Sequence, residues 1–319
     1  MKHIDPKDIS VREIQKLMSG GVAPRPIALV STISAGGAIN LSPFSFFNIF
    51  GANPPVVAFS PTRRGRDGTT KDTYDNLNET RECVAQAVTH AMVEQVNLAS
   101  SDYASDVDEF VKSGLTPIPS DLVKPPRVKE SPFQMECRVT QIIPLGTDPG
   151  SGNLVICEVV RFHIDEKVIR NGVIDPDLID LVGRNSADYY TRASGSAVFT
   201  VKKPASRIGV GFDQLPEHIK QSCILTANDL AQLAGFEQIP DEAEARDFIS
   251  SFEPLEVSEP VFDEWSKDYD YRKMLQGALA TARTDRARAR HHLELTVKAA
   301  LYRNDLDTAW KVVLYMNMI

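Results

Sequence analysis

No CxxC pair and no short Cys–His spacing occurs in this sequence. Its four cysteines, Cys83, Cys137, Cys157 and Cys223, are scattered and read as reduced core residues of a cytosolic protein, which argues against a disulfide scaffold or a structural zinc site. No stretch approaches the ~20 apolar residues of a membrane-spanning helix, and "MKHIDPKDIS" at the N-terminus has no secretory core. Positive charge is in deficit, with a formal net charge of −8, so a general nucleic-acid or membrane-surface role is disfavoured. GxGxxG and GxxxxGK[ST] are both missing, which removes the usual dinucleotide and P-loop fingerprints. No serine sits in a nucleophile elbow and no cysteine has an evident base, so hydrolase chemistry has no support.

What is present begins with short strands. Residues 10–19 read as a helix capped by Ser10 and Glu13 and stopped by Gly20-Gly21. "PRPIALVSTIS" (24–34), "LSPFSFFNIFGANPP" (41–55) and "VVAFSP" (56–61) follow as strands separated by "AGGAIN" and by Asn53-Pro54-Pro55. Tight turns between consecutive strands point to an antiparallel sheet or barrel. A strand is expected at 83–89 and a helix at 90–100; Ser105 and Asp108 read as a capping box stopped at Gly114. Long strands are expected at 133–145 and 153–169, joined by "TDPGSGN". The composition then changes: 224–236 reads as a capped helix, 272–301 as one long helix, and a last helix carries Leu306, Trp310, Val313 and Leu314. The expected division is a β-rich body over 1–203 and an α-helical extension over 204–319.

The stretch 41–55 mixes Ser42, Ser45 and Asn48 with Phe44, Phe46, Phe47 and Phe50. Neither face is cleanly polar, so the run is expected to be buried on both sides, and each buried polar group then needs a partner in the fold or in a ligand. The loop 62–73 holds Arg63, Arg64, Arg66 and Lys71 among four threonines and two glycines, and runs into a helix at 72–80. Free amides at a helix start beside lysine and hydroxyls suit an anion; the alternative is a solvated basic loop. His163 and Asp165 share a strand face, either as a base pair or as a structural histidine. His291-His292 lie on a charged helix face expected to meet solvent or a partner, and Asp241, Glu242 and Glu244 are helix-start charges.

Taken in order, "PRPIALVST", "NLSPFSFFN", "NPPVVAFSP", "KDTYDNL", "CEVVRFHID" and "LVGR…YY" resemble the flavin reductase-like FMN-binding split-barrel family, with its flavoredoxin-type members, over residues 10–200. Cys157 replaces the glycine expected before the glutamate. The resemblance implies a β-rich α+β fold: a six-stranded antiparallel FMN-binding split β-barrel, here with an α-helical C-terminal extension. It implies a homodimer with FMN near the subunit interface. It would put Ser42, Ser45, Phe46, Phe47 and Asn48 around the isoalloxazine and Ser60 and Thr62 on the ribityl chain. Lys71, Asp72 and Thr73 would meet the phosphate, with Arg25, Ser31, Thr32, Arg184 and Tyr189 as further candidates. For Ser45 and Asn48, of opposite parity, to reach one ligand, the strand must bulge or bend. The implied activity is hydride transfer from NAD(P)H to FMN, with small-molecule electron donor and acceptor and no catalytic acid–base set. The alternatives are an FMN electron carrier reduced by a partner and a non-catalytic flavin-binding scaffold.

Overall fold

The computed structural model describes residues 1–201 and 208–319, so the boundary expected at 203/204 lies outside the described residues. The chain forms two compact units, Met1–Thr200 and Val201–Ile319.

The first unit opens with α1 (Val11–Gly21), which carries the expected Ser10/Glu13 capping box. Strands β1 (Arg25–Pro26), β2 (Ala28–Ile33), β3 (Ile39–Phe44), β4 (Phe47–Ala52) and β5 (Pro55–Phe59) follow. Next come α2 (Asp72–Thr80), β6 (Glu82–Ala87), α3 (Val93–Ala99) and α4 (Glu109–Ser113). The short β7 (Pro117–Ile118) and β8 (Arg127–Val128) lead to the long pair β9 (Phe133–Pro144) and β10 (Asn153–Ile164). Then β11 (Ile169–Arg170), β12 (Val173–Ile174), α5 (Pro176–Ile179), β13 (Val182–Arg184) and β14 (Tyr190–Arg192) complete the unit. Seven strands make one antiparallel sheet in the order β3-β2-β6-β9-β10-β5-β4, and β1-β13-β14 make a second, smaller sheet. Two buried clusters form its core: Phe44, Phe59, Leu77, Cys83, Cys137 and Cys157 in one, and Leu29, Leu41, Val96 and Phe110 in the other.

The 41–55 stretch is not one strand. It breaks at Ser45-Phe46, between β3 and β4. The expectation of burial on both faces fails for β4, where Ile49 is 74% and Phe50 68% exposed. The reason is cover: β4 is one of the sheet's two edge strands, paired only with β5, and no described residue buries Ile49 or Phe50. The Ser105/Asp108 capping box also fails. Asp108 is itself the N-cap of α4, accepting from Phe110 N at 2.8 Å, because a short acid before the first turn captures that amide directly.

The second unit is helical: α6 (Glu217–Lys220), α7 (Ala227–Ala234), α8 (Glu242–Ser250), α9 (Glu259–Lys267), α10 (Tyr271–Thr281), α11 (Arg286–Tyr302) and α12 (Leu306–Met316). Thr226 and Asp229 form the expected box on α7, and Asp241 with Glu244 another on α8. The single helix expected over 272–301 is two, because Asp285 caps a new start by accepting from Arg288 N at 3.0 Å. Leu233, Leu275, Leu293 and Trp310 form its core, and Trp310 Nε1 donates to the Leu233 carbonyl at 3.0 Å. His292 is not on a charged face. It is buried, stacks on Phe262 with centroids 3.8 Å apart, and burial drives its pKa down to about 4. Cys223 is exposed, unlike the other three thiols. Among the described residues no helix is long and apolar enough to cross a membrane.

Candidate functional site

The loop after β5 is self-supporting. Gly68, with φ of +72°, turns it so that its amide donates to the Arg64 carbonyl at 2.9 Å. Asp67 accepts from the Thr69 amide and hydroxyl at 3.0 and 2.6 Å, and those bonds with Arg66 hold its pKa down to about 2. The loop's cations are then sorted. Arg64 pairs with Asp102 at 2.9 Å and Asp72 at 3.7 Å, and Arg66 with Asp67 and Asp102, both at 3.0 Å. Lys71 is different. It is half-buried, and no carboxylate contacts its ammonium among the described residues; the Phe44 ring lies with its centroid 5.7 Å from that ammonium. Burial first, and Arg64 second, hold its pKa below the ordinary lysine value.

Lys71 is also the N-cap of α2, and no side chain caps that helix. The amides at its start therefore point outward beside a cation. Earlier in the same loop Arg63 Nε, and on β10 Asn153 Oδ1, are buried without partners among the described residues. Arg63 N donates to the Ser151 carbonyl and Asn153 Nδ2 to the Pro61 carbonyl, so both residues are tied to the β5–α2 loop. Ser60 Oγ accepts from Asn153 N at 3.1 Å, and Ser60 N donates to the Phe46 carbonyl at 2.9 Å. Those bonds tie the loop to the Ser45-Phe46 bend. Thr62 and Ser42 are half-buried, and neither hydroxyl has a partner among the described residues.

Arg25 organises the other side of the bend. It is 8% exposed and its guanidinium donates to the Ser19 and Val22 carbonyls at 2.6 Å each, to Asn185 O at 3.0 Å and to Ser45 Oγ at 3.5 Å. It lies 5.9 Å from the Phe46 ring centroid, and burial, then Arg184, lowers its pKa. Arg25 and Phe47 edge an apolar cleft of about 400 Å³, walled by Ile27, Val57, Met135 and Val182. Gly183 belongs to this wall because a Cβ there would meet Pro24 Cβ at 2.8 Å.

Several candidate residues do not come to this surface. The Ser31 hydroxyl donates to the Pro126 carbonyl at 2.5 Å, and Ser31 and Thr32 have no exposed surface. Thr32 Oγ1 instead accepts from Asn76 Nδ2 at 3.1 Å. The Thr73 hydroxyl is spent on Asn40 Oδ1 at 2.6 Å, leaving only its backbone amide at the helix start. Asn48 is exposed, and its Oδ1 accepts from its neighbour Ile49 N at 2.8 Å. Arg184 stacks on Tyr190, 4.6 Å to the centroid, and touches Tyr189 only through that residue's carbonyl; Tyr189 itself is 73% exposed. His163 pairs with Glu136 Oε1 at 2.6 Å, not with Asp165, which caps the turn after β10. Glu136 already accepts from the amides of Asp121, Leu122 and Val123, so its four acceptor positions are filled and none remains for a metal, although Asp121 stands close by. Burial pushes the Glu136 pKa up, but these donors outweigh it and the value stays below the ordinary one.

Arg63 belongs to the basic loop singled out in the sequence; Asn153, whose orphaned oxygen has no signature in the sequence, and Asn40, the residue before Leu41, are not among the residues the sequence points to.

The flavin reductase like domain matches residues 18–181. The chain belongs to that family. Nitrilotriacetate monooxygenase component B from Bacillus cereus is 32% identical, with a TM-score of 0.59 over 63% of this chain and 98% of that one. Pseudomonas fluorescens 2-nitrobenzoate 2-nitroreductase NbaA is 28% identical, TM-score 0.56, over 63% and 96%. A split-barrel domain protein from Shewanella frigidimarina is 26% identical, TM-score 0.54, over 63% and 100%. The antiparallel sheet of the first unit is thus the split barrel of the flavin reductase family. All three relatives end short of this chain's full length, as does the family match.

Proposed function

We propose that the protein is an FMN-binding oxidoreductase of the flavin reductase type, with NAD(P)H as electron donor. The observation that carries this is Lys71: a half-buried ammonium without a carboxylate, at the uncapped start of α2. A dianionic phosphate fits that seat, and the orphaned Arg63 Nε in the same loop supports an acceptor-rich ligand. Lys71 and the amides of Asp72 and Thr73 would hold the phosphate, and Ser60 and Thr62 the polyol. Ser42, Ser45, Phe46 and Phe47 would border the ring, whose apolar faces and polar edge suit that mixture. Bound FMN would supply the chemistry by accepting a hydride and passing its electrons on. The chain's own part is to bind, orient and exclude water. The apolar cleft edged by Arg25 and Phe47 supports a dry site for an uncharged aromatic partner. Exposed Phe46, Ile49 and Phe50 on and beside the edge strand support a homodimer that covers them.

The test is spectroscopic. The purified protein is mixed with FMN, freed of excess and scanned, then titrated anaerobically with NADH and NADPH. Retained yellow colour that bleaches with a nicotinamide alone is the expected result. Bleaching only after a separate reductase is added would make the protein an electron carrier. A colourless protein after mixing would overturn the reading.

A further inference from the structure

Glu109 is a buried acid that no part of the flavin reading uses. It is 7% exposed on α4, and burial, reinforced by nearby Asp72, raises its pKa against the hydrogen bonds it receives. Its oxygens are spent on β3: Oε1 accepts from Asn40 Nδ2 and Oε2 from Leu41 N, both at 3.0 Å. A carboxylate only accepts, so it forces Asn40 to present its NH₂ inward and its oxygen the other way. That oxygen receives the Thr73 hydroxyl at 2.6 Å, in the first turn of α2. One turn on, Asn76 Nδ2 donates to Thr32 Oγ1 at 3.1 Å, which stands 3.5 Å from the same Asn40 oxygen. Thr32, Thr73, Asn76 and Glu109 are all buried, so the direction of each bond matters energetically.

We propose that Glu109 is a positioning residue for the anion seat at the start of α2. It acts through Asn40 and Thr73, fixing the first turn that carries Lys71 and the free amides. This rests on the flavin-phosphate reading above. Glutamine at 109 would keep size and shape but reverse the chain. Its NH₂ would face Asn40, the Asn40 amide would flip, and an NH₂ would meet the Thr73 oxygen, expelling the hydroxyl proton from its present bond. The Thr73 hydroxyl must then turn to accept from Asn40 instead of donating to it, so the 2.6 Å bond at the first turn is exchanged for a weaker one without loss of packing.

The experiment measures dissociation constants of FMN and riboflavin by flavin-fluorescence quenching for wild type, Glu109→Gln and Thr73→Val, alongside melting temperature. A lost or weakened neutral bond at the anchor is expected to weaken FMN roughly tenfold in either variant. Riboflavin, which lacks the phosphate, is expected to stay within about twofold. A structural lesion would weaken both flavins equally, and that outcome overturns the proposal, as does unchanged FMN affinity. If Glu109→Gln fails to fold, Thr73→Val, which is isosteric, carries the same test. Wild-type protein that binds neither flavin would remove the phosphate reading itself; wild-type binding with unshifted variants would remove only the role of Glu109.

Discussion

Substituting Lys71 by methionine tests the seat most directly, because it keeps an unbranched chain only one atom shorter and removes the charged donor. The methylenes still pack by Phe44, whose ring centroid lies 5.7 Å from the present ammonium. A hydrogen bond to a charged group contributes roughly 1.5–3 kcal/mol. At about 1.4 kcal/mol per factor of ten, FMN affinity should fall by roughly one to two orders of magnitude. Arg64 does not replace the lost charge, since Asp72 and Asp102 already hold it. Titration with FMN and riboflavin at low and high salt isolates the term: the wild-type preference for FMN should shrink as salt screens it, and the variant should show little preference at any salt. pH gives an independent reading. Burial lowers the Lys71 pKa, so the free protein sheds this proton at lower pH than an ordinary lysine; a bound phosphate favours the charged form. FMN affinity should therefore fall as pH rises through that lowered value, and the methionine variant should lack the fall. FMN affinity within twofold of wild type would refute the assignment.

Ser31→Ala should leave FMN affinity unchanged and cost roughly 1 kcal/mol in urea unfolding, because the half-buried Pro126 carbonyl loses its donor; a weakened flavin complex would return Ser31 to the site. Trp310→Ala should destabilise the helical unit by about 3–5 kcal/mol, read by denaturant melts, since the ring has no exposed surface and its Nε1 holds the Leu233 carbonyl. His292, with its pKa lowered to about 4, is neutral in the fold where an unfolded histidine would already be charged. Its native form takes up fewer protons, so the stability of this unit should decline as pH falls from about 6.5 towards 4. His292→Gln should flatten that decline in thermal melts from pH 4 to 7, and an unchanged slope would show that other groups set it.

The helix α1 with its Ser10/Glu13 box, the α2 start, and the strands around 28–33 and 55–59 were legible because each is governed by local rules. So was the basic loop, as a loop. What was not legible follows from pairing at a distance. Four cations in 62–73 look alike in sequence, yet two are neutralised by Asp67, Asp72 and Asp102, and Asp102 lies some thirty residues on. Ser31, Thr32 and Thr73 look like ligand hydroxyls, but each is spent on a partner brought in from elsewhere in the chain. The double-sided burial expected for 41–55 failed because cover over an edge strand is set by the whole fold, and no described residue buries Ile49 or Phe50. His292 was misread for a related reason: the arginines around it face solvent, while Phe262 from a separate helix covers the ring.

The unpaired Lys71 carries one more consequence. A cation moved out of water without a partner costs free energy, and the fold bears that cost in the absence of ligand. Every other cation of the loop that could have been left in this way is matched to an acid or, for Arg63, to the Gly68 carbonyl at 2.9 Å. Filling the seat should therefore stabilise the native state by more than contact with the ring alone. For a ligand that binds only the folded chain, stabilisation is about 2.7 kcal/mol at a hundredfold excess over Kd. Compared at equal multiples of their own Kd, FMN and riboflavin should raise the melting temperature equally; at equal concentration FMN should raise it more, and inorganic phosphate should narrow that difference by competing for Lys71. If phosphate leaves the FMN shift untouched at concentrations that displace other anions, the cation and the flavin do not share a site.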